Sequence, residues 1–380
     1  MSMLVHGARK LDADGIVEDF WFATDGAVIS ATGTGDDWRA TIDGHDVTDA
    51  AGGWLTPGFI DLHAHGGGGA DFDHDAEGMR RALAVHRSHG TTRSVLSLVT
   101  APMDALCASL GAIADLARED PLVLGSHLEG PFLSPSYTGA HDPTLLVMPR
   151  SEYVNTLLAA ADGTLRQVTI APELPEGLDA VEEFATASVV VAVGHTAADY
   201  RMARAAFDRG ARLLTHAFNA MAGIHHRAPG PVTAAIEDER VTLELVLDGV
   251  HVHPAVARIA FAAAPGRVAL ITDAMAAAGA GDGDYRLGSL DVTVRGGIAR
   301  IAGTDTIAGS TLTMDAALRI AVEQAGIDPV AAVAALTLTP ARVLQRADLG
   351  LLRPGFAADA VLLDVGFAAQ RVWANGRPLR

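Results

Sequence analysis

Several side chains in this sequence have the types and spacing that bind a metal ion. His63 and His65 close an apolar run that begins at Trp54, in the segment GFIDLHAHGGGG. Two residues apart on a strand, they project to one face and can ligate one ion. The glycines behind them let the backbone turn away closely. Glu129 follows another apolar run in HLEGPF, His195 lies in VGHT, His216 in THAFNAM and Asp273 in ITDAM. Neutral imidazoles and carboxylates suit zinc, and iron, cobalt or manganese accept similar ligands.

A lone histidine is commonly a hydrogen-bonded core or surface residue, and this chain has 15. His6, His45, His74, His86 and His89 are read that way. His195 and His216 gain weight because they share the end-of-strand position with Glu129. His127 shares the strand face of Glu129 by spacing, as a residue that hydrogen-bonds and orients a ligand would; it stays unassigned.

These residues sit at the ends of five of eight apolar runs: 54–65, 91–100, 122–129, 165–173, 189–196, 212–219, 241–250 and 268–273. Runs such as VVVAV and LELVL are apolar at successive positions, as parallel strands covered on both faces require. Helix-like segments such as GMRRALAVHRSHG and ADYRMARAAFDRG lie between runs and end in glycine, a common helix stop. Eight strands joined by helices predict an α/β fold, a TIM-like (β/α)8 barrel, whose chemistry gathers where the strands finish. An open doubly wound sheet shares the alternation and is the competing architecture.

The two ends have a different texture, with short strand-like pieces between Gly and Asp turns. They predict a small β-sandwich domain built from residues 1–53 and 341–380, leaving 54–340 as the barrel. A β-hairpin insertion is expected near 284–302, before the last barrel helix.

Composition narrows the function classes. At 380 residues with 49% hydrophobic side chains, the chain can bury a large core. Its formal charge of −18 disfavours nucleic acid and anionic membranes as partners. The start of the chain lacks a signal-peptide pattern and no apolar run is long enough to span a bilayer, so a soluble cytoplasmic protein is expected. With Cys107 as the one cysteine, intrachain disulfides and Cys-based metal sites are excluded. Lys10 is the one lysine, which removes a Schiff-base or metal-bridging carboxylated lysine from the main body.

PGFIDLHAHG resembles the opening metal motif of the amidohydrolase superfamily. The ordered set HLEGPF, TGAHDP, VGHT, THAFNAM, HRAPG, DGVH, ITDAM and AGS is similar to the N-acetylglucosamine-6-phosphate deacetylase family, over essentially the whole chain. HxH alone marks the superfamily; HLEGPF, THAFNAM and ITDAM together are much narrower. The resemblance implies hydrolysis of the acetamide of an N-acetylated sugar phosphate by one or two divalent ions, most naturally zinc. Such a centre supplies a nucleophile from water and stabilises the developing oxyanion.

By the same resemblance Glu129, His195 and His216 hold the main ion. Asp273 is the general base that takes a proton from the attacking water and passes it to the leaving amine. His141, in TGAHDP, contacts the amide carbonyl, next to Ala140. His63 and His65 are kept here although some members replace them; with no lysine to bridge, Glu129 is the natural bridging carboxylate if two ions bind. Asn219 and Ala220 contact the sugar phosphate, Asp248 and His251 line the same pocket, and Ile307, Ala308 and Gly309 close over the sugar. Arg227 takes the phosphate through its fixed guanidinium donors. Arg227 and His251 are expected to come from a neighbouring copy, implying a homodimer with shared sites. Ala217 departs from the larger apolar residue the family often has, which leaves the choice of amino sugar open: N-acetylgalactosamine 6-phosphate or another N-acyl amino sugar is the alternative, and a non-catalytic sugar-phosphate-binding barrel a third reading.

Overall fold

A computed structural model describes residues 2–73 and 75–379; His74 lies outside the described residues. Eight parallel strands form one sheet in sequential order: β1 (Phe59–Ala64), β2 (Thr91–Leu98), β3 (Val123–Glu129), β4 (Leu165–Ile170), β5 (Val190–Val193), β6 (Leu213–Leu214), β7 (Thr242–Val246) and β8 (Val268–Ile271). The sheet bends round until its two edges meet. Ala64 bridges Ala274 in parallel, Asp273 N donates to His63 O at 2.8 Å, and His65 N donates to Ala274 O at 2.7 Å. The barrel prevails over the open sheet because those edge donors find partners in each other.

The strands are covered on both faces, as their apolar character requires, but the barrel interior is not purely apolar. Ser97, His127, Gln167, Thr169, Thr215 and Glu244 are all buried. They bond to one another: Ser97 Oγ lies 2.9 Å from His127 Nδ1, Thr169 Oγ1 lies 2.9 Å from His127 Nε2 and 2.8 Å from Thr215 Oγ1, and Gln167 Nε2 donates to Glu244 Oε1 at 2.9 Å, leaving Gln167 Oε1 without a partner among the described residues. A buried polar group without such a partner is costly, so the network holds these side chains in fixed orientations.

The crossover segments behave as their sequences indicate. Helix Tyr200–Asp208 starts where the Asp199 carboxylate accepts from Met202 N at 2.8 Å and stops before Gly210, which sits at φ +117°. The insertion is larger than a hairpin. Gly283–Leu287, Leu290–Arg295 and Ile298–Ile301 form a three-stranded antiparallel meander. Its second turn is possible because Gly296 and Gly297 take positive φ and the Asp282 carboxylate accepts from both backbone N–H groups.

Residues at both ends of the chain share a second, mixed sheet. Its order runs 377–378, 369–374, 360–363, 54–57, 2–12, 15–25, 28–34, with 45–49 also pairing with 2–12. One apolar cluster gathers Val5, Phe20, Phe22, Leu55, Leu362 and Trp373, and another gathers Leu4, Trp21, Ala23 and Trp38. The alternation of Leu4 with Val5 and of Trp21 with Phe22 places one cluster on each face. The run starting at Trp54 therefore splits: Trp54–Pro57 pairs with 360–363, and only Phe59–Ala64 enters the barrel. Gly58 marks the change of sheet, where a Cβ would stand 2.2 Å from Thr92 Oγ1. The chain packs as two compact units, 62–85 with 94–312, and 1–61 with 86–93 and 313–380. The helices Pro329–Leu336 and Leu338–Val343 belong to the unit that contains both ends of the chain. Helix Pro329–Leu336 is buried through Ala332, Val333, Ala335 and Leu336 and packs on strand Ser2–Asp12.

Candidate metal centre and active site

His63 is near the end of β1 and His65 just beyond it, Glu129 ends β3, and His195, His216 and Asp273 each stand two residues past the end of β5, β6 and β8. Three of these carry an unusual backbone: φ is +47° at His195, +26° at His216 and +49° at Asp273. A left-handed turn at a residue with a Cβ costs roughly 1–3 kcal/mol and persists where the surroundings impose it. Here it turns each side chain toward a common point at the rim.

Those side chains converge around the Glu129 carboxylate, and each of its oxygens serves a different histidine pair. Oε1 lies 3.1 Å from His195 Nε2 and 2.9 Å from His216 Nε2, and those two nitrogens are 3.0 Å apart. Oε2 lies 3.1 Å from His65 Nε2 and 3.5 Å from His63 Nε2, which are 3.1 Å from each other. Asp273 Oδ1 completes the second group at 3.4 Å from His65 Nε2 and 3.6 Å from His63 Nε2. His141 Nε2 is 3.3 Å from Glu129 Oε2.

The donor set fits divalent cations. His195 Nδ1 donates to the Tyr137 carbonyl at 2.9 Å, so its Nε2 carries a bare lone pair aimed at Glu129 Oε1 and His216 Nε2. Electron-rich atoms repel at such distances unless a cation or proton lies among them. Ligands sharing one tetrahedral ion at about 2.0–2.1 Å stand about 3.3 Å apart, close to what both groups display. Two half-sites result, one on each oxygen of Glu129.

The electrostatics say the same. Burial works against charging His63, but the carboxylates of Glu129 and Asp273 outweigh it and raise its pKa well above 6.5. His65 is raised to about 9: burial opposes, and bonds to Asp273 and Glu129 prevail. Burial likewise works to raise the carboxyl groups, yet His63 with bonds from His141, His195 and His216 holds Glu129 well below its usual value. Asp273 is held at about 2, against burial, by His63 and its bond to His65. The pocket thus demands positive charge at its centre. His141 differs. Burial pulls its pKa down to about 4, and Thr100 N donates to its Nδ1 at 3.3 Å, so a neutral ring presents an Nε2–H donor.

A cavity of about 280 Å³ opens over this cluster, lined in part by His65, Glu129, His141, His195, His216 and Asp273. Ala140, Asn219, Ala220, His251, Ile307 and Gly309 also line it, as expected for substrate contacts. Three expectations differ. Asp248 is not on the lining; its Oδ2 lies 2.7 Å from His251 Nδ1 and its Oδ1 accepts from Val250 N and His251 N, so it holds His251 in place. Ala308 is fully buried, its N–H given to Ala299 O at 3.1 Å in the packing of the meander. His251, expected to reach across to another copy, lines this chain's own cavity because the Asp248 turn folds it back. Burial opposes charge on His251, and Asp248 with Asp273 outweighs it to raise its pKa.

Arg227 is exposed on the loop after His216, its Nη1 2.7 Å from His226 Nε2, and it does not line the cavity. Neither arginine nor lysine is found among the described lining residues. His127 is not a ligand: both ring nitrogens are taken by hydroxyls, and its ring packs edge-on to His63 at 4.6 Å. Burial and neighbouring His63 lower its pKa well below 6.5. His6, His45, His86 and His89 are absent from the lining; His6, for instance, stacks on Trp38 at 4.0 Å.

Sequence reasoning passed over Glu244, which backs His63 at 3.4 Å, and Thr100, whose Oγ1 is 2.9 Å from His141 Nδ1. A lone carboxylate inside the apolar run LELVL was the available signal for Glu244. Thr100 had none, being an ordinary threonine after β2. The meander's Leu287 and the Asp305–Thr306 segment also line the cavity and were not singled out.

A buried histidine–carboxylate cup at the C-terminal rim of a (β/α)8 barrel defines a metal-dependent hydrolase. The Amidohydrolase family model matches residues 54–379. A relative from Escherichia coli O157:H7 named N-acetylgalactosamine-6-phosphate deacetylase is 42% identical over 336 residues, 87% of this chain and 89% of its own length. The Danio rerio N-acetylglucosamine-6-phosphate deacetylase is 36% identical, covering 84% of each chain. A Mycobacterium smegmatis N-acetyl-D-glucosamine-6-phosphate deacetylase, solved as an aspartate-to-alanine mutant with N-acetyl-D-glucosamine-6-phosphate, superposes with TM-score 0.94 at 42% identity, over 100% of this chain and 99% of that one. This chain belongs to the amidohydrolase family, in the branch of the N-acetylhexosamine-6-phosphate deacetylases.

Proposed function

We propose that this chain removes the acetyl group of N-acetyl-D-glucosamine 6-phosphate, giving D-glucosamine 6-phosphate and acetate in amino-sugar catabolism or recycling. The observation that carries the reading is the Glu129 carboxylate with one histidine pair on each oxygen and Asp273 and His141 on the same cavity. Membership of a metal-dependent hydrolase family and the names of the relatives support the substrate class. Residues 54–340 are proposed as the catalytic domain, consistent with a family match that begins at residue 54.

In this reading Glu129, His195 and His216 hold the main divalent ion, His63 and His65 with Glu129 hold a second, and zinc is the ion of choice, with iron, cobalt or manganese as alternatives. When bound, the metal centre supplies a nucleophile from water at neutral pH and polarises the acetyl carbonyl. Asp273 takes the proton of the attacking water and returns it to the departing amine nitrogen, breaking the C–N bond with charge balanced. His141, neutral and presenting Nε2–H, donates to the carbonyl oxygen as negative charge develops there. Asn219, Ala220, Ile307 and Gly309 shape the sugar pocket, with Ala308 buried in the meander packing and His251 held by Asp248.

The described lining residues offer a phosphate neither arginine nor lysine. The exposed Arg227 is proposed to reach the site of a second copy, making a homodimer with shared sites in the cytoplasm. No helix among the described residues is long and apolar enough to cross a membrane. The 42% identical relative named for N-acetylgalactosamine 6-phosphate supports a second reading, in which the galacto epimer is preferred.

Acetate release from a panel of N-acetylhexosamine 6-phosphates and their unphosphorylated forms tests this. Asp273→Asn should lose about 10²–10⁴ in rate while keeping the ion beside His195 and His216; an undiminished rate refutes the mechanism. Arg227→Ala should weaken phosphorylated substrates selectively, and an equal effect on unphosphorylated sugars removes its proposed role.

A further inference from the structure

We infer that Glu244 is a positioning residue for the second cation: it fixes the orientation of His63 and adds the negative charge that a second ion requires. This rests on the two-cation reading above. Glu244 stands in the middle of β7, is 0% exposed and points into the barrel. Burying a carboxylate is costly unless its oxygens are well bonded. Among the described residues the bond of ordinary length to it comes from Gln167 Nε2 at 2.9 Å; His216 N and His63 Nδ1 are each 3.4 Å from Oε2. Gln167 directs its amide N–H₂ at Glu244 and leaves its own buried Oε1 without a partner. A leucine or methionine at 244 avoids all of this, so packing alone does not explain the carboxylate.

Its relation to His63 does. A carboxylate accepts and does not donate, so the proton of a neutral His63 is held at Nδ1 and the lone pair is left on Nε2. Nε2 is the atom that faces His65 Nε2 and Glu129 Oε2. On the other side the His127 ring packs edge-on to His63, its own nitrogens committed to Ser97 and Thr169. His195, in the first half-site, is oriented by the neutral Tyr137 carbonyl instead. His63 is therefore backed by a charge where His195 is backed by a dipole.

Charge balance explains the difference. Glu129 and Asp273 together match one divalent cation. A second adds two positive charges in a buried site, and Glu244 is the further carboxylate close enough to offset one of them. Glu244 is thus tied to His63: without that histidine it keeps its bonds from Gln167 Nε2 and His216 N but has no imidazole to orient.

Zinc titration of the metal-depleted full chain, with elemental analysis of bound ions and the absorption spectrum of the cobalt form, tests the assignment. Glu244→Gln keeps an acceptor without the charge, and Glu244→Leu removes both. Both variants should retain the first ion; affinity for the second should fall about 10–100-fold in Glu244→Gln and further in Glu244→Leu, with the cobalt spectrum reduced to that of one ion. In a His63→Gln background, which already lacks the second ion, adding Glu244→Leu should cost no metal and raise Tm. If Glu244→Leu does not fold, the isosteric Glu244→Gln decides. Parent-like affinity for the second ion in Glu244→Gln overturns the assignment alone. A parent protein that binds a single ion overturns the two-cation reading and this assignment with it.

Discussion

The two half-sites on Glu129 are built differently. His195 and His216 stand past the ends of β5 and β6 at positive φ; the Tyr137 carbonyl takes His195 Nδ1–H, and His216 N donates to Glu244 Oε2 at 3.4 Å. His63 and His65 come from β1 and its immediate end, and the polar interior of the barrel supports His63 from below through Glu244 and His127. One half-site is made by strained turns at the rim, the other by a regular strand over a hydrogen-bonded floor.

Removing the shared carboxylate is the strongest way to break this comparison. Glu129→Ala should abolish stable metal binding at both half-sites and reduce acetate release by about 10³-fold or more, since both nucleophile supply and oxyanion stabilisation depend on the metal centre. His63→Gln should release one ion only. Elemental analysis of the two purified variants separates them: equal metal loss in both contradicts a shared Glu129.

Proton release sharpens the comparison at the second half-site. His65 has a pKa near 9 and that of His63 is raised in the metal-free protein, so this half-site holds a proton at pH 7 that must be released to bind a cation. The apparent affinity of this half-site should rise with pH and level off above about 9, where His65 is already neutral. Calorimetry in buffers of different ionisation enthalpy measures the released protons. Metal uptake with no proton release at pH 7 contradicts the account.

The smallest expected effect concerns His141, which belongs to neither half-site. Thr100→Val removes the hydroxyl 2.9 Å from His141 Nδ1 but leaves the backbone N–H that sets the tautomer. Loss of one hydrogen bond of about 0.5–1.5 kcal/mol should lower kcat by no more than about tenfold with KM little changed. Steady-state kinetics at constant metal content reads this directly.

The sequence exposed the parts of this design that follow local rules. HxH after an apolar strand, glycine after a helix, and polar residues at the ends of apolar runs each have one physical reading, and the barrel follows from their repetition. The inherited motif order carried His141, Asn219 and Ile307 to the cavity. Hidden were features that depend on closure. Trp54–Pro57 and Phe59–Ala64 read as one run because apolarity does not record which sheet a strand joins. Nor is there a glycine to announce the positive φ of His195, His216 and Asp273; neighbouring structure imposes it. Glu244 was concealed inside LELVL, where one charged residue among four apolar ones reads as a minor exception until the strand is seen to point it at His63. Asp248 and His251 were recognised as a pair but assigned by resemblance alone, and the turn between them decides which of the two meets the cavity.

Anomalous diffraction from crystals of the zinc-loaded protein tests the central claim most directly. The account predicts two peaks about 3.5–4 Å apart, one beside His195 and His216 and one beside His63 and His65, with Glu129 between them. A single peak away from Glu129, or none within the cup, contradicts it.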